Sequence, residues 1–133
     1  MEPESSEAER SRLLTRALAA NAAFSGTTGL ALLLASETLG TWLGIPDTRI
    51  LLVLGPALLA FAAGLTALAR SDRPVRPLVL AATASDMAWV VASAVLLVGF
   101  PDLLTPAGNL AVAAVAVVVA ALGSAQAVGL RRP

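Results

Sequence analysis

One carboxylate lies inside an apolar stretch of this chain, and it is the residue best suited to chemistry. Asp86 interrupts the segment 78–98, where it is the only full charge. A charge near the middle of a bilayer costs about 2.5–3.5 kcal/mol on insertion scales, so such residues usually face the protein interior. Arg16 and Arg76 are each more than about 10 Å of helical rise away from it. We therefore expect Asp86 to be protonated, hydrated in a cavity or paired with a bound cation.

Other polar residues occupy positions from which they could join Asp86. Asn21 and Ser25 are one helical turn apart in the first apolar segment, and Asn21 can donate to a carboxylate in either protonation state. Ser124 and Gln126 lie near the end of the last segment. The predicted ligand- or proton-binding site, completed by one Trp that would wall the pocket, consists of Asp86, Asn21, Ser25, Thr83, Trp89, Ser93 and Ser124.

These polar groups could also serve only to hold helices together. Interhelical hydrogen bonds in membranes contribute about 0.6 kcal/mol each on average. For Asn21, Ser25 and Ser124, this packing role is the main alternative to ligand binding. For Asp86 it is the weaker alternative, because an Asn or Ser would make the same contact at lower cost.

The composition argues against most kinds of catalysis. The chain has no Cys, His, Lys or Tyr, and all its basic residues are Arg. These absences remove thiol nucleophiles, the commonest metal ligands, the usual general base and any Schiff-base cofactor. We predict a non-enzymatic protein without catalytic residues, metal or cofactor. Because the net charge is zero, nothing indicates a nucleic-acid partner.

Four long apolar segments must position the polar residues. The chain has 133 residues, of which 57% are hydrophobic and 14% charged. Each segment has roughly the 20 residues that a helix needs to cross the bilayer. The segments span about 13–39, 48–69, 78–98 and 107–128, after a polar N-terminal tail, 1–12. The sequence therefore predicts an all-α membrane protein, a single antiparallel bundle of four transmembrane helices in contact with the lipid bilayer.

The arginines predict how this bundle is oriented. Eight of the nine precede the first segment, lie between the second and third, or end the chain; only Arg49 lies on the opposite side. Positively charged loops are enriched on the cytoplasmic side of membranes. We therefore predict that both termini and the loop 70–77 are cytoplasmic. At the opposite side, Asp47 and Thr105 are placed to cap the second and fourth helices, with Pro106 as the first helical residue.

Two fragments carry a resemblance to known proteins. They are Asn21-Ala22-Ala23-Phe24-Ser25 with Gly29, and Asp86-Met87-Ala88-Trp89-Val90 with Ser93. Together with the bend Gly44-Ile45-Pro46 and the final Arg pair, they resemble small four-span bacterial membrane proteins of unassigned function. The resemblance implies a multi-pass protein of the bacterial inner membrane and supplies no activity.

Two functional hypotheses follow from the sequence. The first is a binding or transport-type protein whose polar site around Asp86 lies in the inner half of the bundle and takes an unknown small ligand or cation. Because four helices enclose little space, a conducting path would require a homo-oligomer. The second is an accessory or scaffold subunit in which the polar residues only fix helix packing.

Overall fold

The computed structural model describes residues 3–130, with side chains from residue 7, and over this range the regular secondary structure is all helical. Five helices follow one another: α1 Pro3–Leu34, α2 Ser36–Leu43, α3 Arg49–Arg70, α4 Arg76–Gly99 and α5 Pro106–Leu130. Four of them, all but α2, are long and apolar enough to cross a membrane. The predicted all-α class and the four candidate membrane helices are therefore confirmed.

The first apolar segment differs from the predicted single helix over 13–39. Its helix begins within the polar tail, at Pro3, and ends at Leu34. The chain bends at Ala35, which has φ −124° and ψ 33°, and α2 then continues to Leu43. No Pro or Gly stands at the bend, so the sequence carries no signal for it.

Helix α1 lies at the centre of the bundle. It packs against α3 on one side and α5 on the other, and α4 packs against α5. A cluster of buried apolar side chains joins all four long helices, including Leu18 of α1, Leu65 of α3, Val79 of α4 and Leu130 of α5. Because α1 contacts partners on two sides, polar residues on its buried face lie within reach of more than one helix.

A pair of glycines sets the distance between α1 and α3. A Cβ atom on Gly29 would lie 2.8 Å from the carbonyl oxygen of Gly55, and one on Gly55 would lie 2.9 Å from the oxygen of Gly29. No side chain fits between the two backbones at this crossing. Small residues allow this kind of close approach between helices in lipid, where dispersion contacts drive association.

Hydrogen bonds between distant residues define the two ends of the bundle. At one end, Arg76 Nη1 donates to the backbone oxygen of Leu130 over 2.6 Å, which satisfies a carbonyl at the end of α5. At the other end, Thr105 Oγ1 donates to the backbone oxygen of Trp42 over 2.7 Å. Consecutive long helices therefore run in opposite directions.

Of the two predicted N-caps, Thr105 is correct, whereas the N-cap of α3 is Thr48 and Asp47 lies one residue before it. Thr105 Oγ1 accepts the backbone N–H of Gly108 over 2.9 Å, which confirms Thr105 as the N-cap of α5. Asp47 Oδ1 accepts the N–H of Arg49 over 3.0 Å at the start of α3. The side chain of Arg49 also donates to this carboxylate, and the pair of contacts lowers the pKa of Asp47.

Gly44 ends α2 with φ +83°, a conformation that side-chain-bearing residues rarely adopt.

Candidate functional site

Three helices each turn a polar side chain towards the same point in the bundle. On α1 the buried face runs through Leu18, Asn21 and Ser25, at helical spacing. On α4 Asp86 is 5% exposed, and it is the only buried charged residue among the side chains described. On α5 Gln126 is fully buried. These residues are buried among largely apolar side chains, so their polar groups must find partners in one another.

Asn21 is the central residue of the hydrogen-bond network. Its Nδ2 donates to Asp86 Oδ2 over 2.7 Å and to Gln126 Oε1 over 2.8 Å. Its Oδ1 accepts the hydroxyl of Ser25 over 3.2 Å. The structure thus contains the hydrogen bond between Asn21 and Asp86 that the sequence predicted. Both amide hydrogens of Asn21 are used, so this one side chain links α1 to α4 and α5 together.

The hydrogen bonds continue from Asn21 through Gln126 and Thr83 to the backbone of α4. Gln126 Nε2 donates to Thr83 Oγ1 over 3.0 Å, and the Thr83 hydroxyl donates to the backbone oxygen of Val79 over 3.0 Å. Gln126 Oε1 is already occupied as an acceptor for Asn21. Reversing one amide alone would place two donors or two acceptors against each other, so the orientations of Asn21 and Gln126 are coupled. Such networks hold their members rigidly when every group is satisfied.

One carboxyl oxygen of Asp86, Oδ1, accepts no hydrogen bond from any described residue. Asn21 donates to Oδ2, and no hydrogen bond is formed to Oδ1 within the described range, although the side chain of Gln126 also lies near the carboxyl group. Asp86 also borders a cavity of about 180 Å³ between the four long helices. The single ion pair of the described residues, Arg49 with Asp47, is exposed and belongs to the start of α3. Asp86 therefore has no cationic partner within the part of the chain that the structure describes.

The walls of this cavity are apolar and unusually aromatic. The chain has only five aromatic residues, three Phe and two Trp. Three of these line the cavity: Phe24 from α1, Phe61 from α3 and Trp89 from α4. The remaining walls are Ser25, Thr28, Leu58, Ser85, Val115 and Val119. The cavity is smaller than the 300–1,000 Å³ typical of pockets for drug-sized ligands, so only a small molecule or ion would fit.

The chain matches no family model, no curated protein and no solved structure. The resemblance to small four-span bacterial proteins therefore stays a prediction. What the protein does must be argued from the site itself.

The structure brings together most of the residues predicted for the site. Asn21, Ser25, Thr83 and Asp86 share the hydrogen-bond network. Trp89 is 38% exposed and contributes one wall of the cavity. Whether these residues bind a ligand stays a prediction.

Two predicted residues lie apart from the network, and one member was not predicted. Ser124 is exposed on α5, because it lies off the stripe Val119, Gly123 and Gln126 that faces the bundle. Ser93 is buried, but its hydroxyl donates to the backbone oxygen of Trp89 and contacts no member of the network. Gln126 occupies the place expected for Ser124. The spacing of Gly123 and Gln126, a small and a polar residue on one face, was the signal that could have identified it.

An open groove adjoins the cavity between α3 and α4. This groove has a volume of about 520 Å³ and shares Phe61 and Ser85 with the cavity lining. Gly64 lies along it, and a Cβ atom placed there would meet no atom within 4 Å. Helix α3 contributes apolar walls and no side chain to the hydrogen-bond network. The cavity is thus bounded by three cross-linked helices and a fourth that is held by packing alone.

Proposed function

We propose that this chain is an integral membrane protein of a bacterial inner membrane that binds a small ligand or cation at Asp86, as a binding or transport-type protein. The observation that carries the proposal is the spare oxygen of Asp86 beside a cavity. A carboxylate retained only for packing would have both oxygens bonded or would be replaced by a neutral side chain at lower cost.

The outer surface of the bundle supports membrane insertion. Large apolar side chains are highly exposed on the long helices, for example Val53 at 72%, Val98 at 84% and Leu110 at 72%. Exposed apolar surface of this extent is unfavourable in water and favourable against lipid chains. In our proposal both termini and the loop between α3 and α4 face the cytoplasm, since Arg70, Arg73 and Arg76 concentrate there.

The alternative function is a scaffold subunit in which the network only fixes helix packing. The complete hydrogen bonding of Asn21 favours this alternative, because a residue so fully used needs no ligand. The two functions differ in whether Asp86 is accessible from the cavity. If Asp86 belongs to a binding site, a small lipid-soluble reagent should reach its carboxyl group. If Asp86 is only a sealed packing contact, the reagent should not reach it.

Labelling with diisopropylcarbodiimide separates the two. The O–H of a protonated carboxylic acid adds across a C=N bond of this reagent, and the adduct rearranges to a stable acylurea with no group lost. We expect one adduct on Asp86 of the folded protein in detergent, located by mass spectrometry of its peptides. The adduct should disappear in Asp86→Asn and persist in Asp102→Asn, whose carboxylate is exposed.

Asn at position 86 keeps an oxygen that can accept from Asn21, so the variant should retain the helical fold, which circular dichroism checks. Labelling of Asp86 only after the protein has been unfolded in dodecyl sulfate would overturn the binding proposal in favour of the scaffold.

A further inference from the structure

The cavity beside Asp86 combines one carboxyl group with aromatic walls, and both features favour a positively charged ligand. A cation over the face of an aromatic ring is attracted by the electron-rich face of that ring, most strongly when water is excluded. Three of the five aromatic residues of the chain surround this one cavity, and the other two, Trp42 and Phe100, are exposed outside it. An apolar cavity that only needed filling could be lined by Leu and Val.

The carboxylate of Asp86 is the second feature that selects the ligand. Ionised Asp86 would need a positive partner inside the bundle, and the described residues supply none. A metal ion fits poorly, since no group of three or more His, Cys, Asp or Glu side chains converges within the described part of the chain. The hydroxyls of Ser25, Thr28 and Ser85 also line the cavity, but each donates to an oxygen of its own helix. A cation beside Asp86 would therefore meet mainly carbon and would be best matched by one that carries its charge within an apolar shell.

We propose that the ligand of the Asp86 cavity is a small organic ammonium ion. Its positive nitrogen lies near Asp86 Oδ1, and its methyl or methylene groups contact Phe24, Phe61 and Trp89. This inference rests on the proposed binding function and adds the class of ligand. A cavity of about 180 Å³ limits the ion to a few heavy atoms beyond its nitrogen.

The probes are choline and its neutral carbon analogue, in which a quaternary carbon replaces the nitrogen. The two have the same shape and differ in charge. Each is added at increasing concentration before diisopropylcarbodiimide, and the adduct on Asp86 is quantified. An ammonium ion both occupies the cavity and favours the ionised carboxylate, which does not react. We expect choline to protect Asp86 at a concentration at least about tenfold lower than its neutral analogue, a difference of roughly 1.4 kcal/mol.

Trp89 provides a second readout that does not depend on labelling. Trp42→Phe leaves Trp89 as the only Trp of the chain, so its fluorescence reports occupancy of the cavity directly. Phe24→Leu should weaken choline binding several-fold, by about the free energy of one cation–aromatic contact, and change binding of the neutral analogue little. Phe100→Leu is the matched control, because Phe100 lies outside the cavity and is 58% exposed.

The outcomes separate this inference from the function on which it rests. Equal protection by choline and the neutral analogue would overturn the ammonium ligand. So would labelling of Asp86 that neither compound reduces, and both results would leave an accessible site at Asp86 intact. Absence of any labelling in the folded protein would overturn the site itself.

Discussion

The amide nitrogen of Asn21 lies 2.7 Å from the carboxylate oxygen Oδ2 of Asp86, a contact between residues that are 65 positions apart in the chain. Removing the amide leaves two buried acceptors without a donor, on Asp86 and on Gln126. We expect Asn21→Ala to lower the free energy of unfolding by about 1–3 kcal/mol. Reversible unfolding in mixed detergent micelles measures this. Ser85→Ala, at an exposed position on α4, should change stability far less, and equal losses would contradict the role of Asn21.

A second pair of substitutions compares the two polar residues near the end of α5. Gln126→Leu removes both the acceptor used by Asn21 and the donor to Thr83, and should destabilise the protein by about 1–3 kcal/mol. Ser124→Ala, on the exposed face, should lie within about 0.5 kcal/mol of the parent protein. The same unfolding measurement applies. A larger loss from the Ser124 variant would mean that α5 faces the bundle differently.

Gln126 and Ser124 show which parts of the site could be predicted from the sequence. Asp86 and Asn21 were identified because polar residues stand out on apolar helices, and their depths can be counted from the helix ends. The rotation of α5 is only weakly encoded, since nearly all its residues are apolar or small and only the spacing of Gly123 and Gln126 marks the buried face. Ser124 was therefore chosen where Gln126 belongs.

The four long helices and the cap at Thr105 were predictable from apolar length and turn chemistry, and the start of α3 was predicted to within one residue, at Asp47 in place of Thr48. The bend at Ala35 was not, because it results from tertiary packing. Helix α2 lies against the start of α5, where Thr105 N donates to the backbone oxygen of Leu43 over 3.1 Å. No local residue type announces such a contact.

The crossing of α1 and α3 gives a third prediction. Gly55→Ala places a methyl group 2.9 Å from the backbone oxygen of Gly29, so the helices must separate, and we expect a loss of about 1–3 kcal/mol. Gly64→Ala, on the same helix, meets open space and should be neutral or stabilise by up to about 1 kcal/mol through the backbone entropy of the unfolded chain. Thermal unfolding of the two variants in the same detergent measures this difference in stability. Equal effects would mean that the two helices do not cross at Gly55.

The groove between α3 and α4 leads to a fourth prediction. Gly64→Leu adds a side chain to this groove at a position where its Cβ atom meets nothing within 4 Å, and it should slow labelling of Asp86 by diisopropylcarbodiimide at least several-fold. Gly99→Leu is the matched control, because a Cβ atom there also meets nothing within 4 Å. If both variants react at the parent rate, the reagent reaches the cavity by another path.

The proposed orientation is tested by introduced cysteines, since the chain has none of its own. Ser71→Cys lies in the loop between α3 and α4, and Asp102→Cys lies between α4 and α5; both positions are exposed. In intact bacterial cells, a membrane-impermeant maleimide should label position 102 and leave position 71 unreacted until the cells are broken. The reverse pattern would place the termini outside.

The hydrogen bond from Asn21 to Gln126 joins the first long helix to the last across 105 positions. Synthesis proceeds from the N-terminus, so α1 enters the membrane long before α5 exists. Until α4 brings Asp86, the amide of Asn21 faces lipid, the insertion machinery or a temporary partner, and its second hydrogen has no native acceptor before Gln126 of α5 arrives. The network closes only once the final helix has been delivered, which makes it a signature of completed biogenesis. A chain that stalls or terminates before α5 retains unsatisfied polar groups within the bilayer, the kind of lesion by which membrane quality control can distinguish unfinished proteins from finished ones.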